Sequence, residues 1–287
     1  MENVIGGLAI GSVYALIGIG VVLVFRTAGM VNFGQGELVT IGAYAYALAA
    51  AQLTSPILTL LAAIGGGILA GSLFFFVTHI LLRGREQLSL VAGTLALLTL
   101  IQGAARLAAT DRPIRAAPWL FADRMVTIGT AELPANALVI IAVTAVTAIV
   151  LYVWFTRAMF GKLMSAVAED PVRSALSGIP VRLVLWLSWA GAGALAALAG
   201  ALVSPNTGAF PTMGAHLFLA AVVGAVVGGI DSVLGALIGG LIVGLLQTFA
   251  VVSIGGVYRD VVVFGLLMLM LMLRPSGLFG SRQLRRV

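Results

Sequence analysis

Residues 4 to 25 read VIGGLAIGSVYALIGIGVVLVF, an apolar run without a single charged side chain. About 20 such residues are enough for a helix to span the hydrocarbon core of a bilayer. Of the 287 residues, 61% are hydrophobic and only 9% are charged, and the mean hydropathy is +1.15. A soluble domain carries about 25% charged residues, so this chain has too few charges to cover a surface in water. We therefore predict an integral membrane protein in which residues 1–287 form a single transmembrane domain.

Similar runs recur along the chain, separated by charged residues or by Pro and Gly. The run 216–253 is too long for one crossing and is interrupted at Gly228, Gly229 and Asp231, so we divide it in two. The apolar segments are then 4–25, 28–50, 57–82, 88–105, 136–156, 183–204, 216–229, 233–253 and 257–273. Strands of a membrane barrel would alternate with a period of two over about ten residues, and these runs do not. We predict an all-α, polytopic transmembrane helix bundle.

The 16 Lys and Arg residues set the orientation, because cytoplasmic segments of membrane proteins are enriched in them. With the Arg83–Arg85 turn, the 157–182 loop and the C-terminal tail in the cytoplasm, eleven of them lie inside and five outside. This places the N-terminus in the periplasm and the C-terminus in the cytoplasm, and it requires 216–229 to cross completely. A re-entrant 216–229 would leave the basic tail outside. The net charge of +6 is thus explained by topology, and we expect no nucleic-acid partner.

Several kinds of chemistry are missing from the sequence. The absence of cysteine excludes disulfides and thiol nucleophiles, and the two histidines, His79 and His216, are far apart, so we expect no metal site. The only lysine, Lys162, is not part of a phosphate-binding loop. We expect no cofactor and no ATP hydrolysis in this chain. Its start, Met1-Glu2-Asn3, lacks the basic region of a secretory signal, so we expect the first span to be retained.

A polar stretch, GMVNFGQGE at 29–37, interrupts the apolar segment 28–50. Its glycines allow a helix to open, which predicts a broken second helix. A carboxylate at the bilayer centre costs about 2.5–3.5 kcal/mol on insertion scales. We therefore expect Glu37 to face the bundle interior or a pathway, where Asn32, Gln35 and the backbone freed at Gly34 and Gly36 can supply hydrogen bonds. These three residues are candidates for a solute pathway, although they can equally serve to bond neighbouring helices, and for Glu37 we favour the structural role.

The loop at about 163–182 mixes apolar and charged residues in a short amphipathic pattern. Such a pattern is typical of a helix that lies at the membrane face and docks on a partner, while an ordinary solvated loop is the alternative. The candidate docking residues are Ala166, Glu169, Asp170, Arg173, Leu176 and Gly178.

Small residues recur at helical spacing late in the chain. Gly235 and Gly239 form one small-xxx-small pair, Gly240 and Gly244 form another, and 191–201 is rich in Gly and Ala. Spacing of this kind predicts close approach of helix backbones in a membrane. It carries almost no information about a solute.

Three stretches, in this order along the chain, support a family resemblance. They are GGLAIGSVYALIGIGVVLVFRTAGMVNFGQGELVTIGAY at 6–44, AVAEDPVRSALSGIPV at 166–181 and YRDVVVFGLLMLMLMLRPSGLFG at 258–280. The chain resembles the membrane-spanning permease subunits of branched-chain amino acid ABC transporters over nearly its whole length.

This resemblance implies an importer in a bacterial inner membrane. A periplasmic solute-binding protein would deliver the solute, a second homologous permease would complete the pathway, and two cytoplasmic ATP-binding subunits would use ATP. In that family a loop like 163–182 is the coupling element. Many members look like N-F-A-H-G-E where this chain has NFGQGE at 32–37, and relatives also carry urea, short amides or aromatic acids, so the solute stays open.

Two rival functions call for features that the sequence lacks. A secondary transporter or channel requires ionisable residues or inverted repeats around a midplane site. Only Glu37 qualifies, and the sequence shows no clear internal repeat. A membrane-embedded enzyme requires a cluster of acid, base or nucleophile, which the spans do not offer.

Overall fold

The computed structural model describes residues 2–108, 113–114, 125–128 and 131–280. The helices and strands are α1 (Glu2–Ala28), α2 (Gln35–Ala50), α3 (Pro56–Phe75), α4 (Gln87–Ala108), β1 (Met125–Ile128), β2 (Ala131–Pro134), α5 (Ala135–Arg157), α6 (Met159–Glu169), α7 (Pro171–Leu176), α8 (Val181–Thr207), α9 (Met213–Gly228), α10 (Val233–Ser253) and α11 (Arg259–Leu273). A π-helical turn, Phe76–Leu81, extends α3, and a 3₁₀ turn, Gly256–Tyr258, precedes α11. The 106–135 loop joins two predicted spans on the outer side, and its residues Arg112, Arg115 and Arg124 lie outside the described residues. The predicted basic tail from residue 281 also lies outside them.

Each predicted apolar segment contains one helix, which confirms the helix bundle. Among the described residues, seven helical spans are long and apolar enough to cross a membrane. By contrast, α2 and α9 have 16 residues each, which gives about 24 Å of helix against a hydrocarbon core about 30 Å thick. The predicted break in the second segment lies at 29–34, immediately before α2. The predicted outer loop also holds a short antiparallel hairpin, β1–β2, which hydropathy does not predict.

Contacts between chain segments define two ends of the bundle. At one end, Arg26 donates to Ser165 of α6 at 3.3 Å and lines a cavity with Asp231. At the other end, Arg259 lines a cavity with Tyr14 and Phe210. We call these the Arg26 end and the Arg259 end.

Helix α9 connects these two ends. Phe210, just before α9, lines the cavity at the Arg259 end. At its C-terminal end the chain lies beside the last described residues, because Leu278 N donates to Val227 O at 2.9 Å and Phe279 N donates to Gly228 O at 2.8 Å. With its linkers, α9 therefore runs from one end to the other, as the predicted crossing of 216–229 requires.

The bundle contains a structural repeat that the sequence does not reveal. Helices α1 and α8 have 27 residues each, and each is followed by a left-handed glycine, Gly29 (φ 66°) or Gly208 (φ 75°). A short linker then leads to the 16-residue helices α2 and α9, and a long helix follows each of those. The first helix of each repeat also packs against the last helix of the other repeat, since α1 contacts α10 and α8 contacts α3. The sequence does not show this repeat because the two halves share helix lengths and helix contacts, and not a recognisable residue pattern.

Glycine makes the central helix crossings possible. Gly36 of α2 and Gly214 of α9 occupy equivalent positions in the two repeats, and they pack against each other. A Cβ on Gly36 would lie 2.8 Å from Gly214 O, closer than real side chains approach. Since equivalent residues of the two repeats touch here, the pseudo-twofold relation between the repeats is centred on this contact.

The predicted small-residue pairs also pack closely, which confirms that prediction. Gly240 and Gly244 of α10 face the α1 backbone at Ala15 and Gly11. Gly235 and Gly239 face α9 instead, at Gly228 and Gly224. One helix thus uses two glycine pairs for two different neighbours, at distances that any larger side chain would prevent.

Burial differs sharply between the spans. Helix α1 is the most buried span, whereas α4 and α11 are mostly exposed. Large exposed side chains such as Leu100 on α4 and Met272 on α11 are apolar. These faces are suited to lipid or to another membrane subunit, and the interior is formed by α1, α2, α8, α9 and α10.

Candidate functional site

The linker before α2 folds through its own side chains. Gly29 ends α1 with a positive φ of 66°, which glycine adopts without strain. Asn32 Oδ1 then accepts from Gly34 N at 3.0 Å, and Asn32 Nδ2 donates to Gln35 Oε1 at 3.2 Å. Asn32 is completely buried, so these bonds satisfy an amide that has no access to water.

Gln35 connects the start of α2 to α8. Its Nε2 donates to Ala192 O at 3.0 Å, and it lies against Gly20 of α1, where a Cβ would collide with the amide. Asn32 and Gln35 therefore bond within one subunit, and neither lines the cavity at the Arg26 end or the one at the Arg259 end. This arrangement fits the structural alternative for both residues.

Glu37 lies in the first turn of α2 and has no solvent exposure, in agreement with the expectation that it faces the interior. Its partner is Gln102 of α4, whose Nε2 donates to Glu37 Oε1 at 2.8 Å. Of the groups that the sequence offered, the side chains of Asn32 and Gln35 do not bond to Glu37. Their amides are already engaged with each other, with Gly34 and with α8. The other oxygen, Oε2, has no hydrogen-bond partner among the described residues.

The environment of Glu37 combines a favourable and an unfavourable contribution. The N-terminus of α2 carries partial positive charge, which stabilises a carboxylate in the first turn. A buried carboxylate with one neutral hydrogen bond is still costly. Although α4 is mostly exposed, Gln102 joins it to the interior by a hydrogen bond, beside the buried side chain of Leu97.

Sequence reasoning missed Gln102. The signal was available, because Gln102 is a lone amide within the apolar segment 88–105. Polar residues in membrane spans usually bond across helices, but the spacing of residues in one helix does not identify a partner 65 positions away.

Replacing Gln102 with leucine tests this pairing. We expect Gln102→Leu to lower the stability by roughly 2 kcal/mol, because it leaves the Glu37 carboxylate buried without its partner. The double variant Glu37→Leu/Gln102→Leu should recover most of the loss. Melting temperatures in detergent measure both, with Thr99→Leu, an exposed position on the same helix, as the control. A Gln102→Leu melting temperature equal to that of the control would show that the bond contributes nothing.

The loop predicted to dock on a partner consists of two short helices, α6 and α7, and this organisation follows from the sequence. Asp170 precedes α7 and accepts from Val172 N at 2.9 Å and from Arg173 N at 3.0 Å. Pro171 follows at the first helical position, where its missing N–H costs nothing. Asp170 also forms an ion pair with Arg173 at 3.0 Å. Asp170 therefore caps α7 as well as carrying charge.

The outer face of α7 is apolar and uncovered. Val172 is 70% exposed and Leu176 84% exposed, and Arg173 lies between them with its side chain 87% exposed. Glu169 is also exposed, whereas Ala166 is half-buried on α6. Gly178 ends the segment with a φ of 79°, which lets the chain turn into α8. The exposed face is a surface that a protein partner can cover.

Helix α6 anchors this surface to the bundle. Met164 and Val167 are buried, and α6 packs against α1, α5 and α8. Arg26 at the end of α1 donates to Ser165 at 3.3 Å. A force on α7 therefore reaches α1 and α8 through packed contacts.

A cavity of about 820 Å³ lies beside this anchor at the Arg26 end. Its charged lining residues are Arg26, Glu169 and Asp231, and aromatic side chains such as Phe25 and Tyr152 complete the wall. The cavity lies between the ends of α1 and α5, helix α6, and the turn between α9 and α10.

Comparison with known proteins gives consistent matches over the whole chain. The sequence matches the family described as "Branched-chain amino acid transport system / permease component" over residues 3–272. It is 33% identical over 304 residues to the high-affinity branched-chain amino acid transport system permease protein BraD of Pseudomonas aeruginosa, covering 100% of this chain and 98% of BraD. It is 32% identical over 302 residues to the permease protein LivH of Escherichia coli K12, covering 100% and 97%.

One solved structure has the same fold. A chain of PsaBC from Streptococcus pneumoniae, solved in complex with Fab, superimposes with a TM-score of 0.52 and covers 96% of this chain and 91% of its own. The sequence identity is 15%, so the similarity extends to the fold alone.

Proposed function

Because the chain belongs to the permease family of branched-chain amino acid transport systems, we propose that it is one permease subunit of an ABC importer for these amino acids in a bacterial inner membrane. The subunit is a transport component and not an enzyme. Two cytoplasmic ATP-binding subunits supply the energy, a second homologous permease completes the pathway, and a periplasmic binding protein delivers the solute.

The observation that carries this proposal is the uncovered apolar face of α7. Val172 and Leu176 expose large aliphatic side chains at a protein surface, where water makes them unfavourable unless a partner buries them. The flanking charges of Glu169 and Arg173 give such a partner a polar rim. An ATP-binding subunit that docks here would push on α6 and, through it, on α1 and α8.

The proposed orientation places the Arg26 end in the cytoplasm and the Arg259 end in the periplasm. It rests on the excess of basic residues in the segments assigned to the inside. The structure brings the segments assigned to the inside together, which supports this orientation. Arg83, Arg182 and α7 border one groove. Gln87 Nε2 donates to Gly29 O, and Gly29 lines the cavity at the Arg26 end. The N-terminus is then periplasmic and the C-terminus cytoplasmic.

Alternating access follows from this arrangement. Closure of the two ATP-binding subunits moves the α7 segments, and α6 transmits the movement to the long buried helices. The bundle then opens towards the binding protein. When the ATP-binding subunits separate again, it returns to the state that is open towards the cytoplasm.

Reconstitution of the assembled transporter in vesicles tests the proposal. We expect leucine, isoleucine and valine to enter only when ATP and the binding protein are both present. A thermal-shift screen of the cognate binding protein against these amino acids, urea, short amides and aromatic acids identifies the solute class. Stabilisation by urea, amides or aromatic acids alone would reassign the solute within the same family.

A secondary transporter is the second candidate, because the structure contains the kind of repeat that many such transporters share. Glu37, however, is the only buried acidic or basic side chain among the described residues, and Gln102 donates a hydrogen bond to it. Uptake that requires a proton or sodium gradient and proceeds without ATP would favour this candidate.

A further inference from the structure

A second cavity, of about 480 Å³, lies at the Arg259 end. We call it the Arg259 cavity. Five helices meet there: α1, the end of α8, the start of α9, the end of α10 and the start of α11. On the proposed orientation all of these parts face the periplasm, where the binding protein releases solute. The volume is within the range of about 300–1,000 Å³ that is usual for small-molecule sites.

Most of the residues that line the Arg259 cavity are apolar. Val203 and Met213 are buried at the floor, and Ile10, Phe210 and Leu217 are half-buried in the walls. The shapes of these side chains favour an aliphatic group over a charged or strongly hydrated one.

Polar side chains interrupt this apolar lining, namely Tyr14, Thr207, His216, Gln247, Thr248 and Arg259. Tyr14 donates its hydroxyl proton to Gln247 Oε1, and both residues are buried. Gln247 lines the cavity, and no described residue accepts a hydrogen bond from its Nε2. This amide can therefore donate to a polar atom of a bound molecule.

The mouth of the cavity carries a cation. The Arg259 side chain is 45% exposed, and its Nε pairs with Asp260 at 3.2 Å. The terminal guanidinium nitrogens make no other hydrogen bond or ion pair with the described residues, and guanidinium groups bind carboxylates well. An apolar floor below a cationic mouth matches a molecule with an aliphatic group at one end and a carboxylate at the other.

We propose that the Arg259 cavity is a receiving site for the solute within this permease, where the branched aliphatic side chain of an amino acid packs on Val203 and Met213 while Arg259 binds its carboxylate. The inference rests on the proposed function and adds the site that this function requires. The open, half-exposed mouth suits a site that accepts solute from a binding protein and then passes it on.

Uptake assays with the assembled transporter in vesicles test the site. At leucine concentrations below saturation, we expect Arg259→Gln to reduce ATP-driven leucine uptake about tenfold, because it removes the cation at the mouth. Leu217→Trp, which fills the cavity, should reduce it at least as much. Arg106→Gln, an exposed arginine at the same end but outside this cavity, should stay within twofold of the unchanged protein.

ATP hydrolysis separates a solute site from a docking or folding defect. Both cavity variants should retain hydrolysis stimulated by the loaded binding protein, because α7 is untouched. Leucine uptake equal to that of the Arg106→Gln control would overturn the site while leaving the proposed function intact. Absence of ATP-driven uptake in the unchanged transporter would overturn the proposed function, and the inference with it.

The lack of cysteine in this chain permits a direct measurement. Thr248→Cys introduces one thiol into the wall of the cavity, and Ser253→Cys introduces one at an exposed position outside it. Leucine supplied with the binding protein should slow methanethiosulfonate labelling of Thr248→Cys at least threefold and leave Ser253→Cys unchanged. Equal labelling rates with and without leucine at Thr248→Cys would contradict occupancy of the cavity.

Discussion

Gly214→Ala is expected to give almost no folded protein. A Cβ at this position would be forced against Gly36 O and would also lie 2.6 Å from Thr40 Oγ1, which accepts from Gly214 N at 3.1 Å. To avoid this collision, α2 and α9 would have to separate where the two repeats meet. Overpacking in a close-packed interior costs about 1–3 kcal/mol, and we expect at least the upper value because rigid backbone stands on both sides.

Gly65→Ala on α3 is the matched control, because a Cβ there meets nothing within 4 Å. It should be neutral or slightly stabilising, since alanine is favoured over glycine in a helix by about 1 kcal/mol. Fluorescence-detected size-exclusion chromatography reports the yield, and thermal unfolding in detergent reports the stability. If Gly214→Ala were to melt at the same temperature as Gly65→Ala, the α2–α9 crossing would not be as tight as described.

Removing the apolar face of α7 should have the second large effect. The double variant Val172→Ser/Leu176→Ser is expected to reduce ATP-driven uptake more than tenfold while leaving the permease folded. Both side chains are exposed in the subunit, so their loss costs little within it. Burial of each against a partner contributes about 1.5–3 kcal/mol, and without them the ATP-binding subunits should co-purify poorly.

The control for this variant is Ile57→Ser, which changes an aliphatic side chain that is 68% exposed in α3. It should retain both uptake and co-purification. Normal amounts of ATP-binding subunit with the double variant would exclude α7 as the docking surface.

Variants that test the charges on α7 must preserve the helix cap that Asp170 forms. Asp170→Lys would remove the cap of α7 as well as a charge, and loss of a cap costs about 0.5–2 kcal/mol. Asp170→Asn keeps an oxygen that can accept from Val172 N and Arg173 N, so it isolates the contribution of charge. Combined with Arg173→Glu, it tests the predicted role of these charges in coupling without unfolding α7.

The sequence predicted the positions of the helices well because hydropathy is a local property, and the apolar segments each contain a helix. The Asp170-Pro171 pair, from which no helix start was predicted, begins α7. The small-residue pairs predicted close helix approach but not that Gly235 faces α9 while Gly240 faces α1. Which helices meet is decided by packing over the whole bundle.

The candidate polar residues show the same limit. Asn32, Gln35 and Glu37 are adjacent in sequence and were expected to act together, yet Glu37 bonds to α4 while the other two bond to each other and to α8. Successive positions in a helix point in directions about 100° apart. Their partners come from distant helices, which a single sequence does not place.

The burial of α1 has a consequence for biosynthesis. This helix is made first, but α8, α9 and α10, which pack against it, are made late and are followed by α11. Gly11 must remain in contact with lipid until Gly244 has left the ribosome and entered the membrane. Contacts so far apart in the chain form slowly, so the nascent protein passes through a long period in which its innermost helix is unprotected, and a chain that terminates before α10 would be recognised by membrane proteases.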